Sequence, residues 1–362
     1  MTKAYDGVPG ITATWRPLAD QRRGWSLDPA VAPVLCRLVK LEHDGDEVAS
    51  VAIGNKRASF GGELRARMTQ LLGLMDGRRT IRDLAAETDE DLDELVDLIG
   101  QLYALGAVWN EADCAVPSGA VVSHLDHLAQ AFKQELGARI RSVPDALKEH
   151  RCRRLVVGYL VEAFHVVSGA AIHISPGVAM APTHRSRMIL SDLLAEEYWH
   201  GELLRTGLLK LGFSEQDIAR ADPLSGTLAF INCLRGAAMT GVLEYAASFL
   251  AGEAGSDALG QEAEAKQVAS FYEFLGRDGV IPQEALQPFA DHALVDVAHG
   301  HQTYATELIC EREMVSGQDQ SSMRRAMLMY LQTVGERERQ LVRFYGAPDG
   351  PPFFTADELP AP

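Results

Sequence analysis

Three side chains able to bind a metal lie close together in the stretch Asp291-His292-Ala293-Leu294-Val295-Asp296-Val297-Ala298-His299. Its apolar periodicity predicts a helix, and offsets of 0, 4 and 7 place His292, Asp296 and His299 on one face at 3.6 residues per turn. Two imidazoles and a carboxylate aimed at one point make half of a transition-metal site. Taken alone, the stretch reads equally well as a helix with three unrelated polar residues. Three further segments change that balance. Leu155 to Val167 is nearly all apolar around Glu162, and an acid is rarely buried unless paired or metal-bound. Leu193 to His200 puts Glu197 and His200 three apart on a common face, the Glu-x-x-His spacing with which helical bundles hold carboxylate-bridged iron. Gly236 to Ala247 is another apolar helix with one acid, Glu244. Together these four helices offer Glu162, Glu197, His200, Glu244, His292, Asp296 and His299. Such oxygen and imidazole donors suit a pair of iron ions with positions open for O2. Structural zinc more often shows cysteine, and none stands at these spacings. Competing positions are His165 (three after Glu162), Glu196 (four before His200), and Glu253 or Glu273 in place of Glu244. Tyr159, Tyr198, Trp199 and Tyr245 neighbour the proposed ligands and read chiefly as core packing. Asp291 reads as solvated.

These residues need helices to carry them, and the second half of the chain supplies helices only. Amphipathic segments run over about 121–140, 145–169, 185–210, 214–221, 225–251, 259–276, 282–315 and 320–345. A break is expected within 282–315 near Gly300, and others at Ser175-Pro176-Gly177, Leu211-Gly212-Phe213, 252–255 and 276–279. Residues 121–345 therefore form an all-helical domain. Before it, 1–29 read as an irregular arm, 30–112 as a small α+β module and 113–120 as a linker. After it comes a Pro-rich tail, 346–362, expected to run loosely over the surface. In the module, two strands joined by a turn lie between Val34 and Ile53. Helices follow from about Gly62, from Thr80, where Thr80 and Asp83 form an approximate capping box, and from about Asp89. A strand at 107–109 closes the module, giving a winged-helix-like outline.

The chain has 362 residues and a formal net charge of −16, which argues against a nucleic-acid or anionic-membrane partner. Arg78, Arg79 and Arg82 are outweighed by the acids between Glu87 and Asp97. Five scattered cysteines without a CxxC pair predict reduced thiols. No secretion signal is evident, and no run of 18 apolar residues predicts a membrane span, so a cytoplasmic location is expected.

Two resemblances add to this reading. Leu71 to Leu84 (LLGLMDGRRTIRDL) and Leu102 to Val108 (LYALGAV) are similar to the signature of PqqD-like domains. That resemblance implies a recognition element for the leader of a ribosomally made, post-translationally modified peptide. In that family the leader adds a strand to the sheet edge and packs against the third helix. The order Glu, Glu-x-x-His, Glu, His-x-x-x-Asp-x-x-His over an all-helical domain resembles the haem-oxygenase-like diiron oxidases and oxygenases. It implies a haem-oxygenase-like bundle, two iron ions, O2 as co-substrate, and ligands at Glu162, Glu197, His200, Glu244, His292, Asp296 and His299. The joint implication is an O2-dependent diiron oxidoreductase that modifies a residue of a precursor peptide. An external electron donor and a homodimer are compatible with it. Alternatives are a diiron oxidase of a free amino acid or fatty acid, a cofactorless oxidase resembling the quinone-forming enzyme of pyrroloquinoline quinone synthesis, and a metal-free helical binding protein.

Overall fold

The structure is a computed structural model. It describes residues 26–355 apart from 55, 62–63, 150–151, 254–260, 280, 300–301 and 348, and leaves aside the side chains of 253, 261, 262, 264, 278, 298, 299 and 302. Most of the expected arm, 1–25, thus lies outside the described residues.

The small module opens with β1 (Pro33–Leu35), followed by β2 (Lys40–Asp44), β3 (Glu47–Ile53) and β4 (Lys56–Ser59). β2, β3 and β4 form an antiparallel sheet in that order, with Gly45 at φ 66° in the β2–β3 turn. Glycine adopts that φ most readily, having no Cβ to clash. Val48, Val51 and Ile53 point inward from β3, whereas every residue of β2 is exposed. Three helices follow, α1 (Leu64–Leu74), α2 (Ile81–Thr88) and α3 (Leu92–Ala104), and α1 packs on β3. Thr80 and Asp83 make the expected capping box, and Asp91 caps α3 by accepting from the N–H groups of Asp93 and Glu94. β5 (Val108–Asn110) then pairs with β1.

Within the stretch read as a linker the chain takes up regular structure. Val116–Pro117 form a short strand, β6, that pairs with β7 (Met314–Val315), and α4 (Ser118–Gly137) starts at once. Tyr103 of α3 stacks on His124 of α4 with ring centroids 4.5 Å apart. Its hydroxyl donates 3.0 Å to Gln320, and the Arg324 guanidinium lies 4.4 Å over the Trp109 ring. The module is thereby fixed to the domain that follows.

Thirteen helices follow in the order α4, α5 (Val143–Glu149), α6 (Arg153–Ser168), α7 (Ala170–Met180), α8 (His184–Glu197), α9 (His200–Lys210), α10 (Glu215–Arg220), α11 (Ser225–Thr240), α12 (Val242–Glu253), α13 (Gln261–Gly276), α14 (Gln283–His299), α15 (Gln302–Cys310) and α16 (Gly317–Tyr345), counted among the described residues. Several boundaries differ from expectation. Pro176 sits inside α7 instead of ending a helix. A proline there removes the bond to the carbonyl four residues back, and that residue, Ile172, is on the exposed side of the helix. Conversely, Gly241 splits the segment expected at 225–251 into α11 and α12, and the 185–210 segment is interrupted at Tyr198 and Trp199.

The tail also departs from expectation. Arg154 donates to the carbonyls of Phe344, Ala347 and Pro351, Asp222 N–H donates to Phe354 O, and Phe353 packs on Phe213. Apolar rings and a guanidinium give these prolines a docking surface, so the chain as far as Thr355 lies packed. The stretch Arg153–Met180 is long and apolar enough by length and composition to cross a membrane, which the expectation did not foresee. It is split between α6 and α7, and half of its most apolar 18-residue window is buried inside the protein.

Candidate metal site

Glu197, His200 and His292 come together, each offering a ligand atom within 4.8 Å of the others. Glu197 is the last residue of α8 and His200 the first of α9, so the Glu-x-x-His pair straddles a helix break. The backbone at Trp199 has φ −100° and ψ −8°, which keeps the phase close enough for both side chains to point inward. His200 Nδ1 lies 3.2 Å from Glu197 Oε2 and 3.6 Å from Asp296 Oδ1. His292 Nδ1 lies 3.2 Å from Asp296 Oδ2, and the two imidazole rings meet at 4.7 Å and 80°. Glu197, His200 and His292 side chains are only 12%, 12% and 13% exposed, and Asp296 is 27% exposed. Glu197, His200 and His292 thus form a largely buried donor set suited to a cation, with the more exposed Asp296 beside both imidazoles.

A close helix crossing puts them there. α9 and α14 pack antiparallel, and Gly207 lies against Phe289 and the Ala285 carbonyl. A methyl group at position 207 would lie 2.8 Å from that carbonyl oxygen. Two turns along from Gly207 stands His200, and two turns from Ala285 stands His292. Gly207→Ala is therefore expected to cost about 1–3 kcal/mol, the usual range for overpacking, and to weaken metal binding as the helices separate. Denaturant melts with and without added metal measure both effects. Unchanged metal affinity in a destabilised variant would disconnect the crossing from the site.

The hydrogen bond that His200 donates to Glu197 raises the pKa of the imidazole above its ordinary value of 6.5, aided by the charges of Glu197, Asp296 and Glu196 and opposed by burial. The folded protein thus holds that proton more tightly than the unfolded chain. In metal-free protein the stabilisation is complete below about pH 6.5 and fades as pH rises through the elevated value. A metal must displace the same proton, so its affinity is expected to climb over that interval. Calorimetric titrations between about pH 6 and 8 check this, and a flat profile contradicts it.

Of the seven expected ligands, Glu197, His200, His292 and Asp296 are neighbours, Glu162 and Glu244 have other partners, and the side chain of His299 lies outside the described residues. Glu162 is fully buried on α6, with both oxygens 3.2 Å from the Leu224 N–H at the start of α11 and the Tyr345 hydroxyl donating at 3.1 Å. Burial raises its pKa. Glu244, at the start of α12, accepts a 2.5 Å hydrogen bond from Ser322. His299 ends α14, but its side chain lies outside the described residues, as does that of Glu253. Among the alternatives, Glu196 accepts from the Tyr304 hydroxyl at 3.0 Å and stands outside the group, and Glu273 is exposed on α13. His165 is held neutral by burial, with its pKa pushed down to about 4. Asp291 is exposed and accepts from Gln287, as expected for a solvated neighbour. Tyr198 and Trp199 are 61% and 68% exposed and meet edge to face, so they are surface groups and not packing. Tyr159 packs against Phe271.

One group escaped the sequence reading. His173 of α7 is buried and bonds the Tyr245 hydroxyl at 3.0 Å, and the Glu197 charge acts on both. His173 lies beside the Pro176 mistaken for a helix break, which hid its place on a helix. Its apolar neighbours were the available signal.

Glu197, His200 and His292 fit one transition-metal ion with coordination positions left open, and Asp296 stands beside both imidazoles. A second ion would need Glu162 or Glu244 to exchange its present partners, together with His299.

No protein-family model matches the chain, and no curated protein matches it. Among solved structures it is similar to a domain of unknown function with a heme oxygenase-like fold from Shewanella denitrificans OS217. The two share 15% identity with a TM-score of 0.51, over 62% of this chain and 93% of that one. At that identity the likeness shows the fold alone: a mainly helical, heme oxygenase-like domain preceded by a small strand-containing module.

Proposed function

We propose that this chain is an O2-dependent, non-haem iron oxidoreductase that modifies a residue of a ribosomally made precursor peptide. One observation carries the reading: Glu197, His200, His292 and Asp296 converge, shielded from water, inside a heme oxygenase-like helical domain. Iron held by these four would supply reductive activation of O2, which no side chain can perform. The two carboxylates would offset the charge of such an ion, and the low exposure of Glu197, His200 and His292 would limit its contact with water. His292 and Asp296 fix one another across a helical turn, and His200 and Glu197 do the same across the α8–α9 break. In a diiron centre the second ion would draw on His299 with Glu244 or Glu162. Iron analysis of protein loaded anaerobically with ferrous iron decides the count: two per chain supports the pair, one supports the four-residue site alone, and none removes the proposal.

The small module supports the peptide half of the reading. Among the described residues, β2 and β4 are each paired on one side only, and β2 is exposed along its whole length. Such an edge can accept an added strand. Because the module is fixed through Tyr103 and Arg324 to the catalytic domain, a leader held there raises the effective concentration of the core at the metal. Omitting the leader is expected to lower core turnover by at least about tenfold, the low end of the gain from tethering. Equal turnover with and without the leader removes the recognition role while leaving the metal site untouched.

A further inference from the structure

In a chain with 50 acids, two stretches, 163–191 and 223–243, contain none. The fold lays them side by side, with α7 packed between α8 and α11. A methyl group on Gly177 of α7 would lie 3.4 Å from Leu190 of α8 and 3.8 Å from Ala238 of α11. One on Gly201 of α9 would lie 2.8 Å from Ser168, at the entry to α7. These contacts gather exposed Met180, Met188 and Met239 at one end of the layer, each within three residues of a contact point. Exposed Tyr198, Trp199 and Ile172 lie toward the other end. Most of the large apolar side chains exposed among the described residues belong to these elements, and such concentration marks an interaction surface. Its exposed cations are His184, Arg185, Arg187 and Arg235. The arginines make no ion pair among the described residues, and Arg187 donates to the Ala181 carbonyl. Cations in a first helical turn oppose the helix dipole, so α8 keeps three of these against its own stability. Acids resume at the border, with Asp192 one turn past Met188 and Glu311 accepting from the Thr183 hydroxyl.

We infer that this acid-free layer is a docking surface for an anionic phospholipid membrane, with α7 lying along the interface. Acyl chains take the methionines and Ile172, and lipid phosphates take the arginines. An acidic protein fits less well. Protein interfaces use about one hydrogen bond per 100–200 Å², whereas the outer face of α7 (Ile172, Ser175, Ala179) offers one hydroxyl, spent on the Ala171 carbonyl. The net charge of −16 opposes docking only weakly, because charges more than about 8 Å away are screened at physiological ionic strength. What meets the lipid is the local charge, and that is positive. The inference does not depend on the metal reading.

Co-sedimentation of the full chain with vesicles tests this, comparing mixed phosphatidylglycerol–phosphatidylcholine with phosphatidylcholine alone. Binding is expected with the anionic vesicles, weakening as salt rises, together with a blue shift of tryptophan emission that Trp199→Phe removes. Arg185→Glu combined with Arg187→Glu is expected to weaken binding at least about tenfold, since each arginine at an anionic surface is worth about fivefold. Acids suit the first turn of α8, so this variant stays folded. Met180→Gln, Met188→Gln and Met239→Gln together keep charge and helix propensity and should weaken binding several-fold. Absence of wild-type binding to the anionic vesicles overturns the proposal, as does equal binding to both vesicle types or by the arginine variant. A wild-type dimer that the methionine variant splits into monomers would assign the face to a second copy and overturn it too.

Discussion

His292→Ala is expected to remain folded and to lose tight metal binding, with affinity falling by more than about 100-fold. Removing groups that merely orient ligands already costs 10- to 100-fold, and His292 is one of the four donors. It meets His200 ring to edge at 4.7 Å and holds Asp296 at 3.2 Å, so its loss removes one donor and frees another. Oxidative turnover should fall at least as far. The fold should survive, because alanine suits a helix interior and His292 is not among the fully buried core residues. Asp291→Asn, one residue away on the solvent side, is the control and should leave metal binding unchanged. The paired measurement is metal titration with circular dichroism. Wild-type affinity in a folded His292→Ala variant would falsify the assignment of the site.

Glu162→Ala should act on stability instead. The carboxylate answers the Leu224 N–H and the Tyr345 hydroxyl, all buried where α6, α11 and the end of α16 meet. Stranding two buried donors costs about 1–3 kcal/mol each, and the void adds to that. The expected loss is therefore about 3–5 kcal/mol, read from the denaturant midpoint of metal-free protein. Glu162→Gln keeps an acceptor oxygen and should lose distinctly less. Metal affinity should change little in either variant. A stable Glu162→Ala protein that no longer binds metal would make Glu162 a ligand and would require its carboxylate to leave Leu224.

Against these expectations the reach of the sequence can be judged residue by residue. Apolar periodicity exposed the all-helical second half, and the cap at Thr80 placed the second helix of the small module, because capping is local chemistry. The spacing of Glu197 and His200, and of His292 and Asp296, put each pair on one face, since a helix turn is a local ruler. The break at Tyr198 and Trp199 did not spoil the first pair, because three residues cannot drift far in phase. These are the contacts a sequence can state by itself, and all of them lie within one or two turns.

What remained hidden depends on which faces meet. Glu162 and Glu244 have the same credentials in the sequence, one acid in an apolar helix. Yet an acid withdrawn from water, wholly or in part, needs only a partner, and tertiary packing supplied the Leu224 N–H to Glu162 and Ser322 to Glu244. Gly207 brought α9 against α14 and made two separate His-carboxylate pairs into one site, a choice invisible in either helix. His173 entered only because α7 carries Pro176 through instead of stopping there, and because α12 places the Tyr245 hydroxyl opposite it. The tail was read as loose from its prolines, whereas Arg154 and Phe213, far away in sequence, hold it down. The sequence by itself determined the helices, the phase of the pairs and the chemistry on offer. The tertiary structure decided which carboxylates reach the imidazoles and which serve the fold, because desolvation and donor geometry are properties of a meeting between elements and of no single one.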